Sequence, residues 1–220
     1  MASEVGICNK ALSRLGIDQL IESLDDPNSR ARQCKLHYAE TRDEVLADFP
    51  WNFAQSVVAL SPVSGVEVPG WGYVYRYPTD CLQAHVVTDE VGARVPVGAA
   101  WLSCDVWNYD AQFPVDARMP FRVMADPVTS GAKILVTDVE AAYLWFTKRV
   151  TEPNQMPVLF RSALAWKLAS EIALGVKADG RLHQNAIEKY ILTVSQGQAH
   201  SLNEERPDRP RVSPSIAARR

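Results

Sequence analysis

The segment Val158-Leu-Phe-Arg-Ser-Ala-Leu-Ala-Trp-Lys-Leu-Ala-Ser-Glu-Ile-Ala-Leu174 decides the fold class. It contains no proline or glycine, is too long for one strand and is apolar on most of its circumference. Such a pattern reads as a long apolar helix. Pro157 suits its start and Gly175 its end. Ala163, Ala165, Ala169 and Ala173 keep parts of its surface small, so neighbouring helices can approach closely. Trp166 is expected in the core. A helix of this kind needs helical partners, and the flanking sequence supplies them.

A helix is expected next at about 179–196, with Leu182, Ile187, Tyr190, Ile191 and Val194 as its apolar stripe. At the other end of the chain, residues 3–16 repeat Val5, Cys8, Leu12 and Leu15 at helical spacing. Ser3 can cap that helix and Gly16 can close it. Leu20, Ile21 and Leu24 mark a link packed against the body. A longer helix is expected from 27–29 to 48, with Pro27 in its first turn and Asp25 and Asp26 favouring its positive start. Ala31, Cys34, Tyr38, Thr41 and Val45 form its stripe, and Pro50 forces its stop. Trp51 and Phe53 are expected to pin that helix exit onto the core.

Between these helical ends the texture changes. Eight of the 14 prolines fall between Pro50 and Pro127. Short β-branched and aromatic runs alternate with turn residues, predicting strands at 56–60, 72–77, 83–88, 121–124, 133–137 and 141–150. The expected fold class is α+β: a helical bundle from N- and C-terminal segments, a β-rich antiparallel insertion and an extended C-terminal arm. The expected boundaries are 1–53 and 151–200 for the bundle, 54–150 for the insertion and 201–220 for the arm. Residues 203–220 hold three prolines, five arginines and only Val212 and Ile216 as large apolar residues, too few to order that stretch alone.

Charge and composition exclude several functions. The 220 residues carry 23 Lys and Arg against 26 Asp and Glu, a net charge of −3. Residues 203–220 hold five Arg against three acids, +2, which leaves −5 on the rest. Nonspecific duplex binding runs on a basic excess, which is absent here. An acidic body with a basic tail suggests an acidic partner for the tail. No apolar run approaches the roughly 20 residues of a membrane span, and Met1-Ala2-Ser3-Glu4 has neither a basic nor an apolar leader region. Cys8, Cys34, Cys81 and Cys104 form no Cys-x-x-Cys pair. Cys8 and Cys34 read as small buried hydrophobes in a reducing compartment.

The search for chemistry returns little. There is no phosphate-binding loop and no Gly-x-Ser-x-Gly elbow. Gly70-Trp-Gly72 has Tyr75 where a dinucleotide fingerprint needs glycine. His37, His85, His183 and His200 are scattered. His37 and Glu40 share a helix face but supply two metal ligands at most. Glu140 could act as an acid, though spacing places no second carboxylate beside it. Tyr73, Tyr75 and Tyr77 share one strand face and are expected to cover the sheet. Trp145 and Phe146 fall on opposite faces of a strand. No catalytic residue, cofactor or metal is assigned.

More specific phrases lie in the helical ends. Asn9-Lys-Ala-Leu-Ser-Arg-Leu-Gly16 is followed by Ala31-Arg-Gln-Cys-Lys-Leu-His-Tyr38, Arg42-Asp-Glu-Val-Leu46 and Phe49-Pro-Trp-Asn-Phe-Ala54. Tyr75-Arg-Tyr-Pro-Thr-Asp-Cys-Leu82 and the alanine-rich helix complete the series. Their order resembles the head-to-tail adaptors of short-tailed bacteriophages, the tail tubular protein A family, over most of residues 4–200. The resemblance implies a twelve-fold ring beneath the portal protein, joining the capsid to the tail nozzle protein. It implies a virion protein at the head-to-tail junction, assembled in the host cytoplasm, with duplex DNA passing through its channel without specific binding. It implies an arm reaching the portal, here carrying Arg206, Arg209, Arg211, Val212 and Ile216. It carries no catalytic residue set, cofactor or membrane contact. In such a ring the lumen-facing acids are expected on the second helix, at Glu40, Asp43 and Glu44. Two alternatives remain: a tail-associated cell-wall hydrolase using Glu140 or a loop carboxylate, and a non-viral helical scaffold protein with a partner-binding tail.

Overall fold

A computed structural model describes residues 2–89, 119–177 and 179–204. The bundle comprises α1 (Glu4–Arg14), α2 (Ser29–Ala47), α3 (Val158–Val176) and α4 (Gly180–Asn203). Between α2 and α3 lie β1 (Gln55–Ala59), β2 (Tyr73–Arg76), β3 (Cys81–Thr88), β4 (Phe121–Ala125), β5 (Lys133–Thr137) and β6 (Tyr143–Lys148). The class is α+β, as the sequence predicts.

Helix α1 starts at Ser3, whose Oγ accepts the Gly6 N–H at 3.0 Å. It ends with Ile17 N–H donating to Leu12 O and Gly16 N–H to Ser13 O. Gly16 stands at φ 68°, the left-handed position that this ending requires. Helix α2 starts at Ser29, within the expected range, but Pro27 is not in its first turn. Asn28 is its cap, accepting the Ala31 N–H at 2.8 Å, and Pro27 precedes it. Asp25 and Asp26 are used elsewhere: Asp25 pairs with Lys35 at 2.6 Å, and Asp26 accepts the Glu22 and Ser23 N–H groups.

Helix α3 is the centre of the bundle and packs against the other three helices. Ala163, Ala165, Ala169 and Ala173 are all fully buried. Gly175 does not close α3 but lies inside it. A Cβ there would stand 2.7 Å from Gln33 Oε1 of α2, so glycine serves the approach of two helices. Trp166 is half-buried rather than in the core. The Arg14 guanidinium lies 4.0 Å over its ring and covers the rest.

The expected stripe of α2 is buried throughout, joined by Arg42 and Leu46. That of α4 is partly corrected. Its inward row is Leu182, Ala186, Tyr190, Val194, Gly197 and Ser201, while Ile191 is 57% exposed. The ridge follows steps of four, and Ile191 falls one residue to its side. In the link, Ile21 is buried and Leu24 half-buried, but Leu20 points outward.

Six strands form two antiparallel three-stranded sheets, ordered β1-β6-β3 and β2-β5-β4. β6 is central in the first, opposing Val57 and Val86 to Trp145. β5 is central in the second, opposing Tyr75 and Val123 to Leu135. Tyr75, Leu135, Val87, Leu144 and Phe146 form the core between the sheets. The outer face of the second sheet, Val74, Ile134 and Val136, is covered by Val63, Val66, Val68 and Trp71. Burial on both faces explains why Ile134–Val136 is an unbroken apolar run.

Candidate functional site

The five arm residues singled out in sequence, Arg206, Arg209, Arg211, Val212 and Ile216, lie outside the described residues. The candidate site is therefore the described end of the bundle from which that arm departs.

The phrase Phe49-Pro-Trp-Asn-Phe-Ala54 builds this end. Pro50 ends α2, and Trp51 turns back under it. Trp51 is 1% exposed, and its Nε1–H donates to Val45 O at 2.9 Å. Its ring meets Phe49 and Phe160 edge-on, each with centroids 5.1 Å apart. Phe53 meets Phe160 at 4.9 Å. The expected pinning of the helix exit is what the aromatic cluster does.

Helix α4 closes over this cluster. A Cβ at Gly197 would lie 3.2 Å from the Trp51 ring, tighter than most real contacts, so the helix can seat here because that residue has no side chain. One turn on, Ser201 Oγ accepts the Asn52 N–H at 3.1 Å, and Asn52 Nδ2–H donates to Ser201 O. These two bonds fix the last turn of α4. Beside them is a small cavity of about 200 Å³, walled by Phe53, Leu159 and Phe160, with His200 and Glu204 at its rim. His200 Nδ1 stands 3.5 Å from Glu204 Oε1. The walls suit an apolar side chain and offer no activated nucleophile.

The other end of α1 has a distinct electrostatic character. Arg14 donates from both terminal nitrogens, to Ser162 O and Ser162 Oγ, at 2.7 Å each. Burial pushes its pKa down to about 10. Lys10 is one turn earlier on α1, and Arg161 faces it from α3. Burial, then Arg14 and Arg161, hold the Lys10 ammonium below its ordinary value. Sequence reasoning passed over this cluster. Lys10 and Arg14 at i, i+4 was the visible half of the signal, but Arg161 joins it only through the tertiary fold.

The remaining candidates do not converge. His37 is half-buried and Glu40 exposed, and no group of three potential metal ligands occurs among the described residues. Of the acids expected to face a channel, Asp43 pairs with Arg42 at 2.7 Å and Arg149 at 2.8 Å, and Glu44 pairs with Lys167 at 3.0 Å. They tie α2 to its neighbours, so Glu40 alone keeps that expectation. Glu140 is exposed at a turn, where its backbone carbonyl, with Val139 O, accepts the Tyr75 hydroxyl. Tyr75 is thereby a bolt between the sheets, with Tyr73 stacked beside it at 6.5 Å. Phe146 is buried and Trp145 half-buried on the opposite face.

Cys8, Cys34 and Cys81 are buried free thiols. The hydrogen bond with Cys34 and burial hold the Cys8 thiol above its ordinary pKa. Cys104 lies outside the described residues. Among the described residues no helix is long and apolar enough to cross a membrane. Compared with known proteins, the chain matches no family model, and no curated protein matches it.

Proposed function

We propose that this chain is a structural adaptor at the head-to-tail junction of a short-tailed bacteriophage. Twelve copies form a ring beneath the portal protein, extend the DNA channel and hand it to the tail nozzle protein. The arm, expected at 201–220 and helical through Asn203 as the end of α4, reaches the portal with its arginines and with Val212 and Ile216. The role is mechanical, and interface burial repeated around the ring supplies its energy.

One observation carries this reading. The phrases that resemble the adaptor family are spent on the joints of the bundle and on the point where the arm departs. Asn9 clamps the α1–α2 link by two bonds to Ile21, each 2.9 Å. Arg14 clamps α3 at Ser162, and Asn52 clamps the end of α4 at Ser201. A rigid body that fixes the exit of a basic, proline-rich arm is what a docking adaptor requires.

The test is a deletion of residues 205–220. The variant should keep the far-ultraviolet circular dichroism of the bundle and lose most of its binding to the portal protein encoded in the same genome. The full chain and that portal should co-migrate as one large complex by native mass measurement. Undiminished portal binding by the shortened chain would remove the arm from the contact. Absence of any complex with the full chain would overturn the adaptor reading.

A further inference from the structure

An open groove of about 610 Å³ runs between α1 and the start of α3, lined by Ser3, Gly6, Lys10, Asn154, Val158 and Arg161. Ser3, Gly6 and Lys10 follow one another along one flank of α1, and Gly6 leaves the floor low. Arg14 continues that flank one turn beyond Lys10. Lys10, Arg14 and Arg161 therefore gather along the groove, and among the described residues none of them has a carboxylate within ion-pair distance. Arg14 is held in place by Ser162 and by the Trp166 ring, so its charge is fixed rather than free to turn away. Val158 stands at the rim with 67% of its surface exposed. The groove thus asks for an acidic occupant with an apolar side chain.

The chain carries such a segment. The link at 17–26 reads Ile-Asp-Gln-Leu-Ile-Glu-Ser-Leu-Asp-Asp. It is not a loose loop: Asn9 holds Ile21 by two bonds, and Asp26 holds the backbone at Glu22 and Ser23. With Ile21 turned inward, Leu20 is held outward, 60% exposed. Asp18 and Glu22 flank it, exposed and without an ion pair among the described residues. A surface already fixed in shape loses little entropy on docking.

We propose that the groove between α1 and α3 receives the acidic link, residues 17–26, of a second copy of this chain, with Asp18 and Glu22 against Lys10, Arg14 and Arg161, and Leu20 against Val158. The arm is a poor occupant, since its five arginines repel the groove. Duplex DNA is a poor one too, since the body is acidic and a phosphate backbone has no use for Val158 or Leu20. One surface gives and a different surface takes, so the contact is heterologous and propagates from copy to copy. It needs no portal, and it stands or falls apart from the adaptor reading.

Two charge-reversed variants of the full chain test it. The first carries Lys10→Glu and Arg161→Glu, and the second Asp18→Lys and Glu22→Lys. Arg161 gives up one long bond, from Nη1–H to Pro153 O at 3.4 Å, and the other three are surface charges without an ion pair among the described residues, so both variants should keep the wild-type circular dichroism. Sedimentation over a range of concentrations should show that the wild type self-associates, less so as salt rises. Each variant alone should need at least tenfold more protein to associate. An equimolar mixture should recover association, because an acidic groove then meets a basic link, and a basic groove an acidic one. A wild type that stays monomeric at all concentrations would overturn the proposal. So would variants that associate like wild type, or a mixture no better than its parts. If the wild type assembles regardless of these swaps, this contact falls and a ring built through other surfaces still stands.

Discussion

The bundle and the paired sheets bury apolar side chains in different ways. In the bundle, α3 is surrounded by α1, α2 and α4, and the fit depends on what is missing: Ala163, Ala165, Ala169, Gly175 and Gly197 let backbones close in. In the sheets, ordinary β-branched and aromatic residues stack across two layers, as at Leu135, Tyr75 and Leu144. Both parts are sensitive to lost volume, and the bundle is sensitive to added volume as well. Their cores are separate clusters, bridged by contacts such as Arg149 to Asp43 of α2.

The largest expected effect tests that separation. Trp51→Ala should cost about 3–5 kcal/mol and Leu135→Ala about 2–5 kcal/mol, as typical for fully buried side chains. Because the two residues share no core, the double variant should be additive within about 0.5 kcal/mol in denaturant titrations. Coupling well above about 1 kcal/mol would break the comparison and make the molecule one core.

Trp166→Ala sharpens it within the bundle. The ring is half-buried, so the loss should be about 1–3 kcal/mol, clearly below that of Trp51. Part of it belongs to Arg14, which would lose the face it stacks on. A loss equal to that of Trp51→Ala in the same titration would mean that Trp166 is buried after all.

These two tryptophans also show what was legible in the sequence. Spacing alone placed the four helices and six strands of the described residues, because apolar runs and turn residues mark them. It did not pair the strands: nothing local tells β6 to lie between β1 and β3. It mistook Gly175 for a helix end, because a glycine that admits Gln33 looks the same in sequence as one that caps. It put Trp166 in the core, because the covering residue, Arg14, comes from the far end of the chain. Asp43 and Glu44 read as free acids for the same reason, since Arg149 and Lys167 come from the far half of the chain. The exit of the arm was visible only as the aromatic phrase at 49–53. Its partners Gly197 and Ser201, small and polar on α4, gave no signal of their own.

A smaller effect should appear with pH on the sheet side. His85 on β3 stands 2.7 Å from Thr147 Oγ1 of β6, and burial pushes its pKa down to about 4. Its ordinary value is 6.5. Between these values the unfolded chain takes up a proton that the folded chain refuses. Its contribution is therefore complete above about pH 6.5 and is lost as pH falls toward 4. The loss should be about 1–2 kcal/mol for a half-buried ring. His85→Gln should flatten the fall of melting temperature over that window. Parallel curves for wild type and variant would show that the folded protein accepts the proton.

The smallest expected effect bears on function. Glu140 is the acid that a hydrolase reading would use. Yet its carboxylate is exposed, and what its position contributes to the fold is a backbone carbonyl that accepts the Tyr75 hydroxyl. Glu140→Gln leaves the backbone bond intact, so stability should change by less than about 0.5 kcal/mol. The proposed portal binding should be unchanged. Tyr75→Phe, which removes the hydroxyl from the same turn, should cost more, about 1 kcal/mol. The pair thus separates the carboxylate from the backbone that it decorates. Release of soluble fragments from purified cell wall, present in the wild type and abolished in Glu140→Gln, would replace the mechanical reading with a catalytic one.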